Sequence, residues 1–125
     1  AAVLVEQAAS LPERIERRRS IALRYDAVLG DLALPRDAGN PVPLYCVRAP
    51  ERDAWQQVLA CAGIDSAVYY PRPLHRQPAL QDRIEPVDLP VSEGLCRQLL
   101  ALPVHAGLTD ADVDRVCTTL RTLVG

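Results

Sequence analysis

The sequence predicts an α+β domain of two layers, in which helices cover a small, mainly antiparallel sheet of about three strands. Apolar residues recur at helical spacing in several segments, so each of those helices has one face to bury. Short apolar runs bounded by proline or glycine lie between them, which is typical of short strands. The predicted order is helix, strand, helix, strand, loop, helix, strand, helix.

The composition is that of one compact soluble domain, residues 1–125. With 49% hydrophobic and 24% charged residues, the chain can build a single core. No apolar run approaches the ~20 residues that span a bilayer. The net charge of −2 gives no broad attraction to nucleic acid or to a membrane surface, so we expect a cytoplasmic protein without either partner. The sequence lacks methionine, even at position 1, and we expect it to come from a longer protein.

The first helix is predicted over residues 1–32, with a break at Pro12 because proline is tolerated only in a first turn. Ser10 and Glu13 have the spacing of a capping box. Beyond the break, apolar residues share one face: Leu11, Ile15, Ala22, Tyr25, Leu29 and Leu32. Residues 31–43 are predicted as a loop.

The same helix is locally basic, with arginines at positions 14, 17, 18, 19 and 24. Acidic residues interleave with them and no aromatic platform accompanies them, which favours a solvated face with ion pairs one turn apart. A nucleic-acid-binding protein that uses these arginines is retained as an alternative.

The central elements are short. Residues 43–48 predict a strand, and the next helix has an apolar face at helical spacing: Trp55, Val58, Leu59 and Ala62. Gly63 supplies its left-handed stop, with Ile64 packing back on Leu59. Residues 66–70 predict a second strand, which ends at Pro71.

Residues 71–90 are predicted to be irregular because prolines interrupt them repeatedly. A short helix follows around Leu95, and residues 101–104 predict the final strand. Thr109 to Asp112 resemble a cap that opens the last helix. Its stripe is the most regular in the chain: Val113, Val116, Cys117, Leu120 and Val124.

Metal and nucleophile motifs are absent from the sequence. The four cysteines, Cys46, Cys61, Cys96 and Cys117, lie far apart among apolar neighbours, so we expect them in the core. His75 and His105 are thirty positions apart, which argues against a metal site. No Gly-rich phosphate loop or serine elbow occurs.

Three ordered segments resemble the sugar aminotransferases of the DegT/StrS type. V-Y-Y-P-R-P-L-H-R-Q-P-A at residues 68–79 is similar to the family's H-Y-P-x-P-L-H-x-Q-P-A. Residues 89–93 and 100–110 are similar to P-x-A-E and to L-S-L-P-x-H-P-G-L-T. The arginine helix also follows R-R-x-x-A-x-x-Y. Tyr69, Ala101, Ala106 and Leu80 depart from the family pattern.

The resemblance implies a fold-type I enzyme that depends on pyridoxal 5′-phosphate (PLP) and is a homodimer in full length. Its reaction moves an amino group from an amino acid such as glutamate to a keto sugar nucleotide. PLP is held as a Schiff base on a lysine, yet this chain has 14 basic residues that are all arginine. The chain would therefore be the C-terminal small domain. The PLP-binding large domain would precede it, and the small domain would be inactive alone.

The resemblance places Tyr70, Arg72 and His75 on the proline-rich loop, facing the sugar nucleotide. Arg72 would pair with a diphosphate oxygen and His75 would donate a hydrogen bond. The alternative is a structural turn with His75 bonded to backbone. We expect no catalytic, cofactor-binding or metal-binding residue within the chain itself.

Separation from a large domain would expose a previously buried apolar face, which we expect at Val3, Leu4 and Val5. The remaining alternative is a stand-alone binding or regulatory module derived from the family.

Overall fold

The computed structural model describes residues 8–80, 82–85 and 87–125. The helices and strands bounded within them are α1 (Leu11–Leu29), β1 (Tyr45–Arg48), α2 (Arg52–Cys61), α3 (Pro90–Gln98), β2 (Leu99–Leu102) and α4 (Asp110–Val124). Short 3-10 turns cover Gly30–Leu32, Leu74–Arg76 and Pro78–Leu80. The predicted α+β class is confirmed, with the helices packed on a small antiparallel sheet.

The sheet consists of β1 and β2, paired antiparallel with Tyr45 opposite Leu102 and Val47 opposite Leu100. All four side chains are buried, because they form the sheet face that the helices cover. The expectation of about three strands is wrong in number for the described residues, since the sheet has two. The predicted strand over residues 66–70 is reduced to a single bridge between Ala67 and Ala101.

Two neighbours of Ala101 explain why this third strand does not form. Ala67 and Ala101 exchange both backbone hydrogen bonds, at 3.1 and 2.9 Å. The next pairing in one direction would need the N–H of Pro103, which has none. In the other direction the N–H of Leu99 is already bonded to the carbonyl of Leu95 at the end of α3. Pro103 also explains why the last strand covers Leu99–Leu102 rather than the predicted residues 101–104.

Helix α1 buries Ile21, Ala22, Tyr25 and Leu29. The predicted face is thus confirmed in its second half, whereas Leu11 is 48% exposed. The predicted capping box is wrong, because Ser10 makes no side-chain hydrogen bond that caps the helix. The helix predicted over residues 1–7, with its apolar patch, lies outside the described residues.

Helices α2 and α4 match their predicted patterns closely. In α2 Trp55 and Leu59 are buried, and Gly63 at φ +70° lets the Ile64 N–H donate to the Leu59 carbonyl at 2.9 Å. Val58 is an exception, since it is exposed. In α4 the hydroxyl of Thr109 accepts from the backbone of Asp112, whose carboxylate accepts in return, which confirms the cap. The buried stripe consists of Val113, Val116, Cys117 and Leu120. The prediction is wrong for Val124, which is 39% exposed at the end of the helix.

The cysteines are only partly in the core. Cys117 is buried, Cys46 and Cys96 are half-buried, and Cys61 is exposed. The prediction of core packing is therefore wrong for Cys61, the exposed last residue of α2. Burial raises the pKa of the Cys46 and Cys117 thiols, so both are held as thiols at neutral pH.

Two tyrosines join the helical layer to the sheet. The rings of Tyr25 and Tyr45 pack edge to face with centroids 5.1 Å apart. The Tyr25 hydroxyl donates to the Pro103 carbonyl at 3.0 Å, and the Tyr45 hydroxyl donates to Asp26 at 2.8 Å. Burial raises the pKa of both phenols, so both remain neutral donors. We call α1, β1, α2, β2 and α4 the frame, because one core holds them together.

Candidate functional site

We call residues 69–89 the Pro-rich segment. Its described residues follow the Ala67 bridge and precede α3 in the chain, and they lie outside the frame. Pro73 is extended, with φ −67° and ψ 157°, and precedes the short turn Leu74–Arg76. Within this turn the Arg76 N–H donates to the Pro73 carbonyl at 3.0 Å, and the Gln77 N–H donates to the Leu74 carbonyl at 3.1 Å. The turn therefore presents the side chains of His75 and Arg76 from consecutive positions.

Both of these side chains meet one oxygen of Glu93 in α3. His75 Nε2 lies 3.0 Å from Glu93 Oε1. The Nε and one terminal nitrogen of Arg76 donate to the same oxygen at 3.2 and 3.1 Å. The His75 side chain is only 7% exposed and that of Glu93 is 23% exposed. The segment is thus held against α3 by a largely shielded carboxylate.

The Glu93 carboxylate determines which nitrogen of the His75 imidazole carries the hydrogen in their contact. The hydrogen bonds from His75 and then Arg76 hold the pKa of the Glu93 carboxyl below its usual value. A carboxylate only accepts hydrogen bonds, so the hydrogen in the contact belongs to Nε2 of His75. We assign this tautomer from hydrogen-bond chemistry. The remaining ring nitrogen, Nδ1, is the one available for a further partner.

The three residues predicted to face substrate all lie in the Pro-rich segment, but their side chains do not point in the same direction. His75 is turned towards α3, whereas Tyr70 is 67% exposed and Arg72 is also exposed. The backbone carbonyl of Arg72 accepts from the side chain of Gln77 at 3.2 Å, which fixes the chain on both sides of the turn. His75 is bonded to a side chain, not to backbone as the alternative structural reading expects.

A cleft of about 300 Å³ lies where the segment meets α3. Three guanidinium groups line it, those of Arg72, Arg76 and Arg97, with Glu93 as the single carboxylate. Only Arg76 is paired with that carboxylate. Arg72 and Arg97 form no ion pair with other described residues. The cleft therefore has an excess of positive charge, which suits a phosphate group.

A larger cleft of about 560 Å³ lies between α1 and residues 33–42. Its cations are already engaged, since Arg19 donates to the carbonyls of Gly39 and Asn40 at 2.6 and 3.1 Å, and Arg36 pairs with Asp26. This cleft therefore offers a ligand little uncompensated charge.

The arginines of α1 serve mainly internal contacts. Arg17 donates to Asp110 at 2.9 Å and to the Leu108 carbonyl at 2.7 Å, and Arg24 pairs with Asp114. These bonds connect α1 to the beginning of α4. Three of the five guanidinium groups on which the nucleic-acid alternative depends, those of Arg17, Arg19 and Arg24, are thus already bonded to carboxylates and carbonyls of the same chain.

The described residues show neither a metal centre nor a membrane-spanning helix. They contain no group of three or more His, Cys, Asp or Glu side chains placed to hold a metal ion. None of the described helices has the length and apolar character needed to cross a bilayer.

Sequence reasoning missed the roles of Glu93, Arg76 and Arg97. A signal for Glu93 was present, since it occupies the last position of the segment that resembles P-x-A-E. Its contact with His75 joins residues 18 positions apart, so no helical or strand periodicity could have predicted it.

A model of the DegT/DnrJ/EryC1/StrS aminotransferase family matches residues 1–121. The chain is 34% identical over 125 residues to the UDP-2-acetamido-2-deoxy-3-oxo-D-glucuronate aminotransferase of Pseudomonas aeruginosa. This match covers 96% of this chain and 34% of that protein. It is 37% identical to the dTDP-4-dehydro-2,3,6-trideoxy-D-glucose 4-aminotransferase of Saccharopolyspora spinosa, over 94% of this chain and 32% of that protein.

A crystal structure of a DegT DnrJ EryC1 StrS aminotransferase from Brucella abortus superimposes with a TM-score of 0.88 at 36% identity. The match covers 99% of this chain and 35% of that one. The chain thus spans about a third of the length of the proteins that it matches.

Proposed function

Because the chain belongs to the DegT/DnrJ/EryC1/StrS aminotransferase family, we propose that its protein transfers an amino group to a keto carbon of a nucleotide-linked sugar. The observation that carries the proposal is the chemistry shared by two relatives. Their names specify a UDP-linked 3-oxo sugar and a dTDP-linked 4-dehydro sugar. An amino acid, with glutamate as our choice, would donate the amino group in the cytoplasm, for cell-surface polysaccharide or natural-product sugar synthesis.

The cofactor of such a reaction is PLP, which supplies an electron sink and carries the amino group when bound. This chain does not fit PLP by itself, because it contains no lysine to form the Schiff base. We therefore propose that residues 1–125 form the C-terminal small domain, inactive alone, and that the PLP-binding domain lies in the N-terminal part of the same protein. No step of the chemistry is assigned to PLP within this chain.

The contribution of this domain would be recognition of the sugar nucleotide. Arg72 is exposed and unpaired among the described residues, and it lines the positive cleft, so it suits a diphosphate oxygen. Tyr70 presents an exposed aromatic ring for the base or sugar. His75 would offer Nδ1 as an acceptor for a sugar hydroxyl, in place of the expected donation, since its Nε2–H is bonded to Glu93. These roles explain why an exposed segment is tied so specifically to α3.

The surfaces for protein partners would lie in the same stretch of the chain, the Pro-rich segment and the first turn of α3. Most of the large apolar side chains exposed in the described chain lie within residues 69–91: Tyr69, Tyr70, Leu74, Ile84, Val87, Leu89 and Val91. Concentrated apolar exposure marks surfaces that bind other proteins. We propose that the PLP-binding domain and the second subunit of a homodimer cover this segment.

The test is steady-state kinetics of the complete enzyme with His75→Asn and Arg72→Gln. Each change should lower kcat/KM for the sugar nucleotide by about 10- to 100-fold, the cost of a hydrogen bond to a charged group. Arg83→Gln is the matched control, because Arg83 is an exposed arginine of the same segment outside the cleft. Unchanged kcat/KM in both variants would reject the assignment of these residues.

The proposal for the whole protein has a separate test. Purified wild type should show the absorbance of bound PLP and should consume keto sugar nucleotides with an amino acid donor. A native product whose intact mass corresponds to residues 1–125 alone would favour the non-catalytic binding or regulatory module instead.

A further inference from the structure

We propose that Glu93 is a positioning residue for the sugar-nucleotide site, acting through His75. The inference rests on the proposed function and extends it to a residue outside the predicted set. Glu93 belongs to α3, whereas the residues proposed to contact substrate belong to the Pro-rich segment. Its Oε1 lies 3.0 Å from His75 Nε2 and 3.1 Å from Arg76.

The first part of this role is mechanical. The described residues of the Pro-rich segment form no strand ladder beyond the Ala67 bridge, and prolines supply no backbone donors. Among the described residues, the side-chain hydrogen bonds between the segment and α3 all end on Glu93. Loss of this carboxylate would therefore release the turn Leu74–Arg76 without disturbing the frame.

The second part is chemical. The carboxylate accepts from Nε2 and thereby selects the imidazole tautomer that leaves Nδ1 for the substrate. With 7% side-chain exposure, the imidazole has little solvent to satisfy Nε2 if Glu93 is removed. Without Glu93 the ring could carry its hydrogen on either nitrogen, and part of the population would present the wrong atom. The same logic applies to carboxylates that orient a histidine in other enzymes.

Arg76 completes the arrangement. It donates two hydrogen bonds to the oxygen that His75 also contacts, while its side chain stays 54% exposed. The Arg76 guanidinium keeps the Glu93 carboxylate ionised and balances its charge. Glu93 can therefore accept from His75 while Arg72 and Arg97 keep the excess positive charge of the cleft. Glu93 is thus the acceptor and Arg76 its counter-charge.

The kinetic test uses the complete enzyme with Glu93→Gln and Glu93→Ala. Both should raise KM for the sugar nucleotide, with about a 10- to 100-fold loss of kcat/KM in the alanine variant. The amino-donor half-reaction, followed by the cofactor absorbance, should stay within about twofold of wild type. Glutamine keeps an acceptor oxygen at the same reach, so its loss should be the smaller.

A double mutant separates positioning from general support. In a His75→Asn background, Glu93→Ala should cost little more, because its effect passes through the imidazole. Glu51→Ala is the matched control and should leave kcat/KM unchanged, since Glu51 is exposed before α2, outside the segment, and forms no ion pair with other described residues. Additive losses, or equal losses in both half-reactions with a lower Tm, would overturn the inference.

Hydrogen exchange supplies a readout that does not need turnover. The amides of Arg76 and Gln77, which are bonded within the turn, should exchange faster in Glu93→Ala, whereas those of α4 should not change. Unchanged protection at both amides would overturn the mechanical part. If wild type uses no nucleotide sugar, the proposed function fails, while this exchange result still decides whether Glu93 holds the segment.

Discussion

The frame and the Pro-rich segment are stabilised in different ways. In the frame, apolar side chains from three helices and two strands are buried together, and Tyr25 and Tyr45 connect the layers. In the segment, large side chains such as Tyr70 and Leu74 are exposed, and one carboxylate, Glu93, carries the side-chain bonds to α3. The difference shows a division of labour: the frame supplies stability, and the segment presents groups to something outside the domain.

Two leucines provide the sharpest test of this contrast. Leu59 is fully buried, so Leu59→Ala should lower the free energy of unfolding by about 2–5 kcal/mol. Leu74 is 72% exposed, and Leu74→Ala should change it by no more than about 0.5 kcal/mol. Urea denaturation of both variants measures the difference. Equal losses would mean that the segment is as much a part of the core as α2 is.

A polar contact within the frame should give the next largest effect. Asp26 accepts from the Tyr45 hydroxyl and pairs with Arg36, whose guanidinium lies 5.1 Å from the centre of the Tyr45 ring. Asp26→Ala leaves both donors without this acceptor and should cost about 1–3 kcal/mol. Asp37→Ala, on the exposed loop nearby, is the control and should be nearly neutral. Thermal unfolding of the two variants would show whether the network stabilises the frame.

The smallest expected effect is a local one in acid. The folded-state pKa of Glu93 is lowered, so its contribution is present above the ordinary value of 4.5 and is lost as the pH falls through the folded pKa. Protection of the Arg76 and Gln77 amides should fall in that range before α4 opens. In Glu93→Gln the acid-dependent step should be absent. Simultaneous loss of protection in the segment and α4 would contradict separate stabilisation of the two regions.

Local pattern predicted the helices well and the third strand poorly. The stripe of α4 and the glycine stop after α2 depend on neighbouring residues alone, and both are confirmed. A strand at residues 66–70 depends on which backbone N–H groups of the neighbouring strand are free to pair with it. Pro103 has no N–H, and the N–H of Leu99 is used by α3, so only Ala101 remains to pair.

The candidate site was predictable in part. The resemblance to family motifs identifies Tyr70, Arg72 and His75 from the sequence alone. It also included Glu93 as the last residue of one motif, but it did not predict which residue Glu93 contacts. The direction of His75 towards α3 depends on the turn after Pro73 and on the placement of α3, neither of which follows from spacing along the chain.

By itself the sequence determined the α+β class, the helix stripes, the cap of α4 and the family, since these depend on residue type and short-range order. The tertiary structure alone decided that the sheet has two described strands and that His75 and Arg76 share one oxygen of Glu93. It also decided that Arg17 and Arg24 of α1 bond to α4 and that Arg19 bonds to the loop at Gly39. The physical reason is that hydrogen-bond partners are selected by proximity in space, and the folded backbone sets that proximity.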